Sequence, residues 1–287
     1  MDLIIETDIG HDPDDFFAIT YLAAAGVNIR AILISPGDPD QIAIAKLICD
    51  QLGLNIPIGT SKENRTKYSS GSVHYDLLDY YKYSKDGKAD GLGVDILENI
   101  VENFPESELF IIGPVSSIGK YLKKHPEVKF NRATMQGGFL PYENYKPVVI
   151  EEKFIGQQWM PTFNLNGDRP AGVDFLQANI GDRRFVGKNI CHTVMFDAEK
   201  FSLFSPKNPA MKLFCQAGEF YLAKHSEKKF HDPTAAVCHL HPEIATWYDG
   251  KTVKMESGWT TIPGYDKVLA DIDYELLWQH LSNPAFV

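Results

Sequence analysis

Short apolar runs recur along this chain, each followed by a longer amphipathic stretch, and that rhythm limits the fold more than any other feature. Leu3-Ile4-Ile5 reads as a strand and is followed by a helix from about Asp14 to Ala25. Residues 29–34 read as a second strand, and the Gly37-Asp38-Pro39-Asp40 turn opens a helix ending near Gly53, with Asp38 or Asp40 available to cap it. Leu109-Phe110-Ile111-Ile112 is a third strand, leading into a helix from about Val115 to Lys124. Residues 130–135 make a less apolar strand ending at Gly137-Gly138. A helix after Pro170, a strand around Val194-Met195-Phe196, and a closing pair (Val268-Leu269-Ala270, then Tyr274 to Leu281) complete the series. Apolar strands alternating with helices predict an α/β fold, an open and mostly parallel sheet with helices on both faces. No repeat, low-complexity tract or linker interrupts residues 1–287, so one domain is expected. Ligands of such sheets bind at the carboxyl ends of the strands, which is where chemistry is to be sought.

Composition narrows the partners. Acidic residues outnumber basic ones 38 to 28, giving a net charge of −10. That balance argues against nucleic acid or an anionic membrane surface as a partner and suits a small neutral or cationic ligand or a metal ion. No apolar run approaches the roughly 18 residues of a bilayer span. The N-terminus is acidic where a signal peptide would be basic, and the four cysteines (Cys49, Cys191, Cys215, Cys238) are scattered without a CxxC pair. Reduced buried thiols in a cytoplasmic protein are expected. Residues 61–90 and 139–162 break the rhythm; long irregular segments of this kind are binding loops or lids, or else surface insertions.

Directly after the first strand stands Glu6-Thr7-Asp8-Ile9-Gly10-His11-Asp12-Pro13-Asp14-Asp15, five carboxylates in ten residues. Close carboxylates repel one another, and a divalent cation relieves that repulsion. All-oxygen ligation points to calcium or magnesium rather than zinc. Gly10 permits a tight backbone turn between Asp8 and the later pair. Helix capping by Asp12 or Asp14 accounts for one of the five, not for all. His231-Asp232-Pro233 opens a second apolar helical stretch; alone it reads as an Asp N-cap with Pro at N1, and beside the cluster it offers another carboxylate and an imidazole. Cys238-His239-Leu240-His241 lacks the second half of a zinc ligand set and reads as the end of a helix or strand. No dinucleotide, Walker or serine-elbow motif is present.

The cluster resembles the N-terminal motif of the inosine-uridine preferring nucleoside hydrolases, with Glu6 in place of the first Asp and Phe16 in place of an Ala. Gly113-Pro114-Val115-Ser116-Ser117, Met135-Gln136-Gly137-Gly138, Phe163-Asn164 with Asp168 and Pro170-Ala171, and His231-Asp232-Pro233 follow in the family's order. The resemblance implies a calcium ion held by Asp8, Asp15, Asp232 and the main-chain carbonyl of Ile112. It further implies that Asp14 and Asn164 bind the ribose, that Asp8 is general base to the attacking water, and that His231 lies near the leaving base. A homodimer or homotetramer acting on a small riboside is implied as well.

Three sugar-binding positions depart from the family. Thr162 replaces a Glu that grips the ribose 5′-hydroxyl, Gly156 stands where an Asn is usual, and Asp38 replaces an Asn after the second strand. Either Glu152, Gln157 or Gln158 substitutes for the lost partners, or the ligand differs at its 5′ position. The expected activity is calcium-dependent hydrolysis of a riboside to ribose and free base with altered 5′-side recognition. A non-catalytic calcium-dependent ribosyl-binding protein is the alternative. Trp159, Phe163 and the tyrosines of residues 74–83 are candidates to stack on a base.

Overall fold

The computed structural model describes residues 1–285. In chain order its first half comprises β1 (Asp2–Thr7), α1 (Asp14–Ala24), β2 (Asn28–Ile34), α2 (Pro39–Leu52), β3 (Ile58–Thr60) and α3 (Ser72–Tyr80). β4 (Gly91–Leu92), α4 (Gly93–Asn103), β5 (Glu108–Ile111), α5 (Ser116–Lys124) and β6 (Lys129–Gln136) follow. The second half continues through α6 (Phe163–Gly167), α7 (Arg169–Gln177), β7 (Asn179–Val186), α8 (Lys188–Cys191), β8 (Met195–Asp197), α9 (Ala198–Phe201) and α10 (Pro209–Leu222). It ends with β9 (Glu227–Lys229), α11 (Asp232–Leu240), β10 (Ala245–Lys254), β11 (Trp259–Pro263), β12 (Asp266–Ile272) and α12 (Tyr274–Ser282).

Ten strands form one sheet in the order β11-β10-β12-β7-β6-β5-β1-β2-β3-β4. Every pairing from β12 to β4 is parallel, and only β10 is reversed, pairing antiparallel with both β12 and the edge strand β11. The expected open, mostly parallel α/β sheet is therefore what forms. β1 buries everything from Leu3 to Thr7, with Leu3 and Ile5 in one apolar layer and Ile4 in the other. That alternation shows that both faces are covered. α1, α2, α10, α11 and α12 pack on the first face, and α4, α5 and α7 on the second. From β1 the chain winds outward through β2, β3 and β4, then returns to lay β5 on the other side of β1. Where the winding reverses, the connections diverge and leave a crevice at the strand ends, between β1 and β5.

Several local expectations need correction. The strand near Val194 is β8, which leaves the main sheet and pairs antiparallel with β9 in a separate ribbon. Neither Asp12 nor Asp14 caps α1; Pro13 holds the cap position without a side-chain bond. At α11 the cap is His231, with Asp232 already in the first turn. Asp38 does stand at the start of α2, where its main-chain N–H is taken by Gln41 Oε1 at 2.9 Å. The segment 61–90 contains α3, and 139–162 contains a one-turn helix (Glu152–Phe154) pinned by buried Phe154. All four cysteines are buried and free, and Cys238-His239 lies inside α11, with His239 Nδ1 2.8 Å from Thr134 Oγ1. Among the described residues no helix is long and apolar enough to cross a membrane.

Candidate active site

The crevice holds a cavity of about 270 Å³. Asp8, Asp12, Asp14 and Asp15 enter it from the turn after β1, Ile112 from the end of β5, Gln136 from the end of β6, and His231-Asp232 from the start of α11. Two glycines make this approach possible. Gly10 adopts φ +120°, open to glycine but strained for other residues. At Gly113 a Cβ would come within 2.4 Å of the Asp8 nitrogen, so only glycine lets the β5 turn close on the β1 turn. Gln41 ties the same region together, donating from Nε2 to the Asp8 carbonyl at 3.1 Å.

The five carboxylates separate into distinct environments. Glu6 points away from the cavity and accepts from the Ser117 and Ile118 N–H groups at 2.6 and 3.0 Å, capping α5 from across the sheet. Burial still lifts it to about 7 against the pull of those donors. Asp14 is buried, and burial alone would raise it; Lys228 Nζ at 3.3 Å and His231 outweigh that and hold it below the usual carboxylate range. Its Oδ2 accepts from the His231 N–H at 3.0 Å and lies 3.3 Å from His231 Nδ1. Lys228, delivered by the β8–β9 ribbon, also meets Asp12 at 2.9 Å. Asp12 is nevertheless raised, by burial and by Asp14.

Asp8, Asp15 and Asp232 form the crowded group. Burial and neighbouring Asp12 and Asp14 push Asp8 up to about 7. Asp15 is raised strongly by burial and then by the charges of Asp8, Asp12 and Asp14, and Asp232 by burial and then by those of Asp15, Asp14, Asp8 and Asp12. Thr7 Oγ1 bonds Asp15, but among the described residues none of the three has an ion-pair partner. Three carboxylates that raise one another's charge cost, Asp15 and Asp232 buried and Asp8 partly so, beside a main-chain segment at Ile112, fit a hard divalent cation and do not fit a thiol-loving metal.

The opposite wall has the other sign. Lys188, the first residue of α8, and His192, which caps its C-terminus, line the cavity where the chain leaves β7. Lys188 Nζ donates to the Pro161 carbonyl at 3.0 Å, and burial together with Lys153 lowers its pKa. His192 Nδ1 lies 2.9 Å from Lys153 Nζ and 3.1 Å from Lys229 Nζ. Burial, His231 and those lysines pull His192 down to about 3, so it is neutral. With Nδ1 accepting from lysines, its proton sits on Nε2. Glu151 binds Lys153 and Lys229 and is held at about 2 by them, against its own burial. Asn164 lines the cavity and donates from Nδ2 to the Gln136 carbonyl (3.0 Å) and Oε1 (3.1 Å). Thr162 also lines it, and its buried hydroxyl has no hydrogen-bond partner.

Asp8, Asp14, Asp15, Ile112, Asn164, His231 and Asp232 are thus brought to one cavity. Asp38 is not. It lies in the adjoining pocket, its oxygens bonded to Arg65 Nε at 2.7 Å and Ser69 Oγ at 2.6 Å. Glu152, Gln157 and Gln158 are exposed and do not line the cavity. Among the stacking candidates Phe163 lines it and is 68% exposed, whereas Trp159 and the tyrosines do not reach it.

The model of the inosine-uridine preferring nucleoside hydrolase family matches residues 3–279. The chain belongs to this family. It is accordingly a hydrolase acting on N-glycosyl bonds. A protein of undefined role from Aquifex aeolicus (strain VF5) is 25% identical over 249 residues, 82% of this chain and 81% of its own. Among solved structures, a plant nucleoside hydrolase superposes with a TM-score of 0.77 at 18% identity, covering 99% of this chain and 98% of the other. A purine-preferring ribonucleoside hydrolase from Gardnerella vaginalis gives 0.71 at 16% identity, covering 98% and 97%. Identities this low speak for the fold.

In this nucleoside hydrolase family member, sequence reasoning missed Lys188, His192, Thr162 as a lining residue, and Lys228. The first two follow β7, whose charged sequence hides it as a strand. Had Asn179–Val186 been read as a strand, the strand-end rule would have found both.

Proposed function

We propose that this protein hydrolyses the N-glycosidic bond of a ribonucleoside or related riboside in a calcium-dependent manner, releasing the free base and ribose. The observation that carries the proposal is the convergence of Asp8, Asp15, Asp232 and Ile112 on one cavity at the β1–β5 crevice. These residues would hold the cation, which when bound supplies a positive charge that acidifies water and anchors a vicinal diol. Asp8 acts as general base, taking the proton of the water that attacks C1′. The sugar acquires oxocarbenium character as the bond to the base breaks, and the anionic floor stabilises it. Asp14 and Asn164 contact the ribose hydroxyls. Asn164 arrives with both amide hydrogens already committed to Gln136, so its free oxygen accepts from a hydroxyl.

His231 stands next to the leaving base. Asp14 holds its Nδ1, and the edge-on ring of His192 (centroids 5.1 Å) fixes its plane, so Nε2 is the atom left to meet the base. Asp38 is the one member of the expected sugar set that this geometry does not support, because Arg65 and Ser69 occupy its carboxylate. Recognition on the 5′ side is altered, since neither Thr162 nor an exposed residue of the 151–158 segment supplies an acid to the cavity.

The test is reducing-sugar release from a panel of purine and pyrimidine ribosides with calcium, against an Asp8→Ala control. Loss of general-base catalysis is worth about 10²–10⁴-fold, so the control should be nearly silent. Wild-type release no higher than the control's defeats the proposal, and tight ligand binding without release identifies a receptor instead.

A further inference from the structure

The cavity is bipolar, and its cationic wall has no role in the reaction just described. Around it stand three lysines, Lys153, Lys188 and Lys229, and a single carboxylate, Glu151, which is paired with Lys153 and Lys229. Lys188 is left over. Among the described residues it has no acidic partner; its only bond is to the Pro161 carbonyl, and an ammonium has three hydrogens to donate. Next in the chain to that carbonyl is Thr162, 3% exposed, whose hydroxyl is unpaired in the wall of the same cavity. His192, neutral and carrying its proton on Nε2, completes a row of donors with no acceptor supplied by the protein. In a chain of net charge −10, an unpaired half-buried cation beside an unpaired buried hydroxyl is a feature that a ligand has to satisfy.

Resting on the hydrolase reading above, we infer that the substrate is an anionic riboside, whose negatively charged substituent is received by Lys188 Nζ and the Thr162 hydroxyl. The position of that charge on the ligand is restricted. It cannot sit on the 2′ or 3′ oxygen, because those hydroxyls must lie against the carboxylates of the floor, where an anion would be repelled. A phosphate on the 5′ carbon or an acidic group on the base remains. Both present oxygen acceptors to a lysine and a hydroxyl, the pairing by which proteins bind phosphate and carboxylate.

The experiment compares inosine, inosine 5′-monophosphate, uridine, uridine 5′-monophosphate and orotidine, with calcium present, on the wild type, Lys188→Leu and Lys188→Arg. Turnover gives kcat/KM for each, and calorimetry gives Kd for the same ligands, so the inference is read even if no riboside is cleaved. The wild type should prefer either the phosphorylated pair or orotidine over the neutral nucleosides by at least about tenfold, the order of one charge-assisted hydrogen bond. Which of the two is preferred locates the charge. Lys188→Leu should collapse the anion-to-neutral ratio, and Lys188→Arg should restore most of it. Neutral ribosides binding as well as every anion, or an anion preference that survives in Lys188→Leu, overturns the assignment. Circular dichroism of both variants checks that they fold. Sugar release from neutral ribosides with no anion preference removes this inference and leaves the hydrolase reading standing.

Discussion

The two sides of the cavity are built in different ways. The carboxylate floor comes from the ends of central, almost fully buried strands and from the first turns of α1 and α11, so its residues inherit the rigidity of the most buried part of the sheet. The cationic wall comes from a strand with polar and charged residues, a four-residue helix and a segment with one helical turn, cross-linked by half-exposed ion pairs. The floor is equipped for chemistry that does not vary between substrates. The wall, with fewer packing constraints, is where selectivity can change without disturbing that chemistry.

Four experiments sharpen or break this contrast. The largest effect should come from the ion. Saturating calcium should stabilise the protein by about 4 kcal/mol when free ion is a thousandfold above Kd, and an Asp15→Asn variant should lose most of that gain. The pH dependence of the calcium-free protein carries a sign. Asp8 binds its proton more tightly folded than unfolded, so its contribution is fully present below about pH 4 and is lost as pH rises through about 7. Urea unfolding in a chelator should therefore show stability falling over that window, less steeply in Asp8→Asn, and calcium should abolish the trend. An Asp8→Asn slope identical to the wild type's would show that the floor is not the strained unit described here.

Lys228 comes next, since it joins the floor to the β8–β9 ribbon. Lys228→Met removes the lysine paired with buried Asp14 and should cost on the order of 3 kcal/mol in thermal or denaturant unfolding. A loss below about 0.5 kcal/mol would mean the pair behaves as a surface contact. The smallest effect belongs to Phe163. Its exposed ring stacks on the base in our reading, worth about 0.5–1.5 kcal/mol, so Phe163→Ala should raise KM by roughly three- to tenfold with kcat nearly kept. A fall in kcat with KM intact would place the ring at the reacting centre instead.

The contrast also explains what could be read from the chain without coordinates. β1 and β5 centre on unbroken apolar runs (Leu3–Ile5 and Leu109–Ile111) and β2 on one broken only by Arg30, and the carboxylates after β1 announce themselves by density alone. β7 could not be read in that way. Its Asp182, Arg183 and Arg184 look like a solvated loop, yet they are paired in the fold, Arg183 with Asp266 at 3.0 Å and Arg184 and Arg132 with Asp182. A charge neutralised by a partner far along the chain leaves no local trace. α3 was hidden for a related reason, since Val73, Leu77 and Leu78 are buried among polar and tyrosine neighbours. Glu6 misled in the opposite direction, counting toward a metal cluster on sequence grounds while its carboxylate serves the start of α5. Asp38 gave no warning of its bond to Arg65, which is set by the fold of a loop without periodicity.

The bond from the His231 main chain to Asp14 joins residues 217 positions apart. During synthesis the first of these leaves the ribosome long before the second is made. Local helices can form early, but contacts of such long range come last, because their closure entropy has to be met by the rest of the structure. The nascent polypeptide therefore carries its crowded acids exposed to solvent, able to attract ions only loosely, until His231 and Asp232 have been made. Assembly of the reactive centre then coincides with commitment to the native state, so a truncated or stalled product has the acids without the activity.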